Sequence, residues 1–247
     1  MTMEIAVQEG WANNHGVKLH FIQSNRDGPS KLTPIAYVHG AYGSADSFLP
    51  EMKALSPRWC VSFCLRGRGK SDKPETGYTF DHNISDVEAL VNQTGLRNFC
   101  LMGWSVGVSY AIGYTCRHPD MIAGLVLLDY PARHPKFSRA WGERMVQFDP
   151  SIATSPDRMR GIRGLEGESS EILLWDELRS IECPVLIVGG GRDDALLKPE
   201  HIEKYRQNLR NVKVEVFGNS GHNVSEPDYQ QFINTLGSFL ERLDKRR

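Results

Sequence analysis

Gly103-Trp104-Ser105-Val106-Gly107 decides how this chain is read. An apolar run, Phe99 to Met102, leads into it, and a stretch of helical character, Val108 to Arg117, leads out. A G-x-S-x-G carries chemical meaning only at a strand-to-helix turn, and this one is placed at such a turn. The reason is steric. The serine backbone must adopt a strained turn in which a Cβ at either flank would clash, so both flanks need glycine. The strain lifts the hydroxyl out of the carboxyl edge of a sheet. The next amide, Val106 N–H, then sits at the start of a helix, where an oxyanion can be held. The bland reading is a chance match of common residue types, and the flanking pattern weighs against it.

Further motifs follow in order. Thr33 to Val38 reads as a buried strand ending in His39-Gly40-Ala41-Tyr42-Gly43-Ser44, and Arg66-Gly67-Arg68-Gly69-Lys70-Ser71-Asp72-Lys73-Pro74 comes next. Downstream lie His118-Pro119-Asp120, the apolar run Gly124 to Leu128 closed by Asp129, Cys183 to Gly189 leading to Asp193-Asp194, and Ser220-Gly221-His222 before a last amphipathic helix. This succession resembles the α/β-hydrolase fold over nearly the whole chain. The resemblance implies a mostly parallel eight-stranded sheet flanked by helices. It implies Ser105 as nucleophile and His222 as base, in the chain order nucleophile, acid, histidine. The acid it implies is Asp194, from the G-x-x-D turn Gly191-Arg192-Asp193-Asp194. Asp193 is the register alternative, and Asp129, after the sixth strand, is the second alternative. The Val106 amide and, after the His-Gly pair, the Ala41 amide are the implied oxyanion donors.

Composition agrees with one globular hydrolase. The chain has 247 residues, a length that α/β folds often reach as one domain. Net charge is -1, which gives no strong attraction to nucleic acid or to a membrane surface. Five cysteines without a C-x-x-C read as reduced thiols, Cys60, Cys64 and Cys100 in strands. The first ten residues carry Glu4 and Glu9 and no signal-peptide pattern, so a cytoplasmic enzyme is expected. A small-molecule substrate is the expected partner, oligomeric state is open, and no metal or organic cofactor is expected.

A coarse walk gives strands at 5–11, 17–23, 33–38, 58–65, 97–102, 122–128, 184–188 and 212–217. Helices are expected from Ser44 to about Leu55 and over 80–92, the latter on the spacing of Ile84, Val87, Leu90 and Val91. Strands alternating with helices mean a parallel sheet covered on both faces. Residues 131–170 break the alternation, with proline at 131, 135, 150 and 156 and glycine at 142, 161, 164 and 167. By the resemblance this is a short cap between the core segments 1–130 and 171–247, with helices at 137–148 and 157–162. Trp141, Met145, Phe148 and Met159 are candidates for its underside, and Tyr42, Trp104, Trp141 and Met145 for the substrate pocket. For each, anchoring the cap is the blander role. Residues 131–163 hold seven Lys or Arg against three Asp or Glu, best read as a solvated basic face.

Two tempting motifs fail on spacing. Gly69-Lys70-Ser71 lacks the glycine that a phosphate-binding loop needs at 64, where the residue is Cys. Gly189-Gly190-Gly191 lacks the dinucleotide spacing. The remaining histidines, 15, 20, 82, 134 and 201, are expected in turns or on helix surfaces and form no ligand pattern. The expected activity is hydrolysis of a small carboxylic ester, thioester or lactone through an acyl-enzyme on Ser105. A carbon–carbon bond hydrolase or lyase on the same residues is the alternative enzyme. A ligand receptor with slow incidental turnover is the alternative of another class.

Overall fold

The two faces of the central sheet are written in one of its two shortest strands. In Ile35-Ala36-Tyr37-Val38 all four residues are fully buried. Ala36 and Val38 belong to one apolar cluster, Ile35 and Tyr37 to another. Side chains alternate along a strand, so this strand carries a core on each side. The computed structural model describes residues 5–246, so the expectation at Glu4 lies outside the described residues.

Ten strands appear in chain order: β1 (Val7–Asn14), β2 (Val17–Ser24), β3 (Ile35–Val38), β4 (Cys60–Phe63), β5 (Phe99–Trp104), β6 (Ile122–Leu128), β7 (Arg133–His134), β8 (Ile172–Leu173), β9 (Val185–Gly190) and β10 (Val212–Phe217). The helices are α1 (Leu49–Ala54), α2 (Phe80–Thr94), α3 (Gly107–Arg117), α4 (Arg139–Phe148), α5 (Pro156–Glu168), α6 (Pro199–Asn208) and α7 (Tyr229–Asp244). Eight strands form one sheet in the order β1-β2-β4-β3-β5-β6-β9-β10. The pairs β1·β2 and β2·β4 are antiparallel and the rest parallel. The expected mostly parallel eight-stranded sheet is therefore the observed one.

Packing follows the alternation. Ile84, Val87 and Leu90 of α2 and Val108, Ala111 and Ile112 of α3 join the cluster containing Val38 and Leu101. Met52 of α1 and Phe232, Leu236, Phe239 and Leu240 of α7 join the one containing Tyr37 and Met102. The chain thus leaves β3 toward one face and β5 toward the other. Adjacent loops that depart to opposite sides open a crevice at the carboxyl edge, the usual place for a site in such sheets. Asp244, near the end of α7, pins this layer. It forms a two-point ion pair with Arg58 (Nη1–Oδ1 2.9 Å, Nη2–Oδ2 2.7 Å) and accepts from the Thr33 amide at 2.7 Å.

Several boundaries differ from the sequence expectation. The strand expected over 58–65 pairs only over Cys60–Phe63, because the chain then turns into the 66–72 loop. Buried Asp86 fixes that loop, accepting from the Arg66 amide at 2.9 Å and from its guanidinium at 2.7 Å. The helix expected at 137 begins at Arg139, since Ser138 caps it by accepting from Trp141 N. The helix expected over 157–162 runs on to Glu168. Its glycines read as breakers in sequence, but they are contacts. A Cβ at Gly161 would overlap Gly67 O, and one at Gly164 would overlap the Tyr78 ring. Glu168 then accepts from the Gly77 and Tyr78 amides at 2.8 and 3.0 Å, docking α5 on the 66–78 segment. β7 and β8 pair antiparallel and close the base of this insertion, a ladder too short to show in sequence. His134 is fully buried there and His20 fully buried in β2, so neither lies on a turn or helix surface. Cys60, Cys64 and Cys100 are buried free thiols. No helix among the described residues is long and apolar enough to cross a membrane.

Candidate active site

Ser105 has φ +55°, the left-handed region that a side chain rarely adopts. It sits between the end of β5 and the start of α3, and neighbouring backbone holds it there. Its amide donates to Leu128 O at 3.1 Å. Gly103 and Gly107 are required by close approach: a Cβ at 103 would lie 2.8 Å from Val108 Cα, and one at 107 would overlap Val38 O and lie 2.6 Å from His39 O. Those atoms are backbone and cannot swing aside. Gly107→Ala is therefore expected to destabilise the fold by about 3 kcal/mol or more. The check is the midpoint of urea unfolding, and an unchanged midpoint would mean that α3 does not press on β3 as described.

The loop after β3 is built around a neutral histidine. Leu65 N–H can only donate, and it points at His39 Nε2 (3.2 Å), so that nitrogen is the acceptor. The proton is then on Nδ1, which donates to Gly40 O at 2.6 Å. Burial, then the nearby Arg68 guanidinium, lowers the His39 pKa to about 3. Gly43 N donates to Gly40 O at 3.3 Å and closes the turn that carries Ala41. Val106, the N-cap residue of α3, brings the second amide to the helix N-terminus. A helix start favours negative charge there.

Buried imidazoles make the fold sensitive to acid, and burial lowers the pKa of His20 as well. His134, like His39, is lowered by burial and then by Arg68, to about 4. Both shifts run downward, so the unfolded chain takes protons that the native state refuses. Stability is fully present above the ordinary histidine range and declines as pH falls below it, by ~1.4 kcal/mol per pH unit for each histidine. Glu51, raised to about 6 by burial, acts in the opposite sense as pH falls through that value and offsets part of the decline. The urea midpoint should be lower at about pH 5 than at about pH 7.5, with a smaller drop in His134→Gln. Equal midpoints at the two pH values in the wild type would mean that these rings are not held neutral.

The acidic partner of His222 is Asp129. His222 Nε2 lies 3.0 Å from Ser105 Oγ, and its Nδ1 lies 2.8 Å from Asp129 Oδ2. Asp129 follows β6, is fully buried, and has φ +44°. Its carboxylate accepts from the amides of Gly190 (3.1 Å), Leu196 (2.8 Å) and Leu197 (3.3 Å). An acceptor-only carboxylate on Nδ1 keeps the proton there and leaves Nε2 free to accept from the serine hydroxyl. This corrects the expectation for Asp194. That side chain is 66% exposed, its carboxylate faces Arg192 Nε at 4.0 Å, and it rests against the Gly221 backbone rather than the His222 ring. The Ala195 amide bonds to Arg192 O, a turn that sends Asp193 and Asp194 outward. The loop chosen from sequence as the source of the acid instead wraps the acid in amides. Backbone donors leave no mark on side-chain identity, so this cradle could not be read from the sequence.

The remaining pocket candidates divide. Trp104 stands beside the site: its ring stacks on His222 (centroids 5.4 Å apart, 25° between planes) and its Nε1 donates to His222 O at 3.2 Å. Sequence offered only its position next to the serine. Tyr42 lies under the Arg158 guanidinium of α5, 4.9 Å from the ring centre, so the insertion reaches the loop that carries Ala41. Trp141 packs on Phe137 (4.4 Å) against the core. Met145 is half-buried on α4, and Phe148 is 83% exposed, which removes it from any underside.

Comparison with known proteins agrees with this fold. A family model described as "Alpha/beta hydrolase family" matches residues 35–235. The chain is 26% identical over 246 residues to the AB hydrolase superfamily protein YisY of Bacillus subtilis (strain 168), covering 83% of this chain and 91% of that one. It is 24% identical over 208 residues to an N-formylmaleamate deformylase of Pseudomonas putida (strain KT2440), covering 72% and 76%. Among solved structures it is similar to an esterase from Exiguobacterium antarcticum, with TM-score 0.76, 23% identity, and coverage of 94% and 99%.

Proposed function

The chain belongs to the alpha/beta hydrolase family, and from that premise we propose that it is a serine hydrolase cleaving a small carboxylic ester, thioester or lactone. The observation that carries the reading is the continuous hydrogen-bonded chain Ser105–His222–Asp129. A serine hydroxyl is a weak nucleophile at neutral pH and needs an adjacent base. His222 Nε2 takes the hydroxyl proton as Oγ attacks the carbonyl carbon. The amides of Val106 and Ala41 hold the oxyanion. Asp129 stabilises the imidazolium, which then protonates the leaving oxygen or sulfur as that bond breaks. Water, deprotonated by the same imidazole, attacks the acyl-enzyme and releases the acid.

Residues 131–170 act in this reading as a cap. The Arg158–Tyr42 contact and the docking of α5 on the 66–78 segment support that role. With α4 and α5 as its principal helices, a cap this short favours compact acyl groups. A panel of nitrophenyl esters, lactones and β-diketones tests the proposal. Turnover of a two-carbon ester in excess of an eight-carbon ester is expected. Faster cleavage of a β-diketone would make the enzyme a carbon–carbon bond hydrolase. Release of one product equivalent per protein, without further turnover, would make it a receptor.

A further inference from the structure

A cavity of about 500 Å³ lies behind the candidate active site. It is bounded by α1 and the turn before it, by Trp104 and Leu128 at the ends of β5 and β6, by residues 223–227, and by the first turn of α7. Ser105, His222 and Ala41 do not line it. The Trp104 indole is the partition, since its ring also stacks on His222.

The lining is apolar and acidic. Phe48, Leu128, Val224 and Phe232 are buried in its wall, and Glu51 and Glu226 are its charged members, with no Lys, Arg or His in the lining among the described residues. Glu51 is 5% exposed, and its Oε2 has no hydrogen-bond partner among the described residues. The Tyr229 hydroxyl is likewise enclosed and unpartnered. A buried carboxylate oxygen without a partner is costly, and a cation placed against it removes much of that cost. Aromatic faces add to the attraction for an organic cation.

We propose that this cavity is a second, non-catalytic binding site for a small organic ammonium, its N–H groups on Glu51 and its apolar body among Phe48, Trp104 and Phe232. Burial raises the Glu51 pKa to about 6, the direction expected for a carboxyl group with no cation beside it. The Tyr229 pKa is raised by burial and then by Glu51, so its hydroxyl keeps the proton and can donate to an acceptor on the ligand. The site is separate from the hydrolase reading, because neither Ser105 nor His222 lines it. Occupancy should nevertheless reach His222 through the Trp104 indole, which holds the His222 carbonyl at 3.2 Å.

The test is calorimetric titration of the full chain with phenethylammonium, and with 2-phenylethanol as its neutral analogue. One saturable site for the amine is expected, with the alcohol weaker by about tenfold or more, the usual scale for losing a hydrogen bond to a charged group. Glu51→Gln should bring the amine down to the affinity of the alcohol. A Ser105→Ala protein should bind the amine as the wild type does, whether or not the wild type hydrolyses esters. Equal affinity for amine and alcohol would reduce the cavity to an apolar hole and overturn the proposal. So would undiminished binding in a folded Glu51→Gln protein, loss of binding in Ser105→Ala, or no saturation at millimolar amine. Should Glu51→Gln fail to fold, the comparison of amine with alcohol in the wild type decides alone.

Discussion

Ser105→Ala should fold as the wild type does and lose about 10⁴-fold or more in turnover of a short nitrophenyl ester. The size follows from the hydrogen-bonded chain. Without Oγ the base at 3.0 Å has no proton to take, and what remains is the oxyanion pocket and binding. The measurement is steady-state kinetics beside labelling with a fluorophosphonate. Wild type should be labelled at Ser105 and the variant not at all. An alanine variant that retains activity, or label carried on another residue, would end the serine mechanism.

Asp129→Asn should cost up to ~10⁴ in the same turnover, while Asp194→Asn leaves it within a few-fold. The asparagine has a specific difficulty. Asp129 Oδ1 receives the Gly190 and Leu197 amides, and Oδ2 receives Leu196 and His222. An NH₂ at either position faces donors. Turned toward His222, it obliges the imidazole to present its Nδ1 lone pair and so places the proton on Nε2, facing the serine. Turned away, it leaves two buried amides unpaired, and the protein should lose stability as well. Kinetics and urea unfolding on the two variants separate these effects. If Asp194→Asn were the inactive protein and Asp129→Asn the active one, the acid assignment would be wrong.

The fold was legible because most of its parallel strands, buried on both faces, are nearly unbroken apolar runs, and because Gly103 and Gly107 stand where backbone touches backbone. The meeting of Ser105 with His222 was legible for the same reason, since each lies in a loop that follows a strand at the carboxyl edge. Choosing among the acids needed geometry. Asp129 and Asp194 both follow apolar strands, and only the left-handed backbone at Asp129 turns its carboxylate inward. The extent of α5 was also hidden: the same glycines that signal a breaker in one dimension are tight packing contacts in three. Phe148, apolar yet 83% exposed, shows the converse, that a hydrophobic residue on a short insertion does not declare which way it faces.

The amide cradle around Asp129 has an evolutionary consequence. The loop from 190 to 197 holds the acid by its backbone, so most of its side chains are free of that duty. Arg192, Asp193, Asp194 and Leu196 all face outward and can drift under other pressures without disturbing the carboxylate. Proline is the exception at 190, 196 and 197, where it would delete a donor. A lineage can therefore restyle this rim of the site, its charge included, while the machinery beneath stays fixed. That leaves residues 192–194 and 196 as mutational raw material at little cost to the carboxylate they surround.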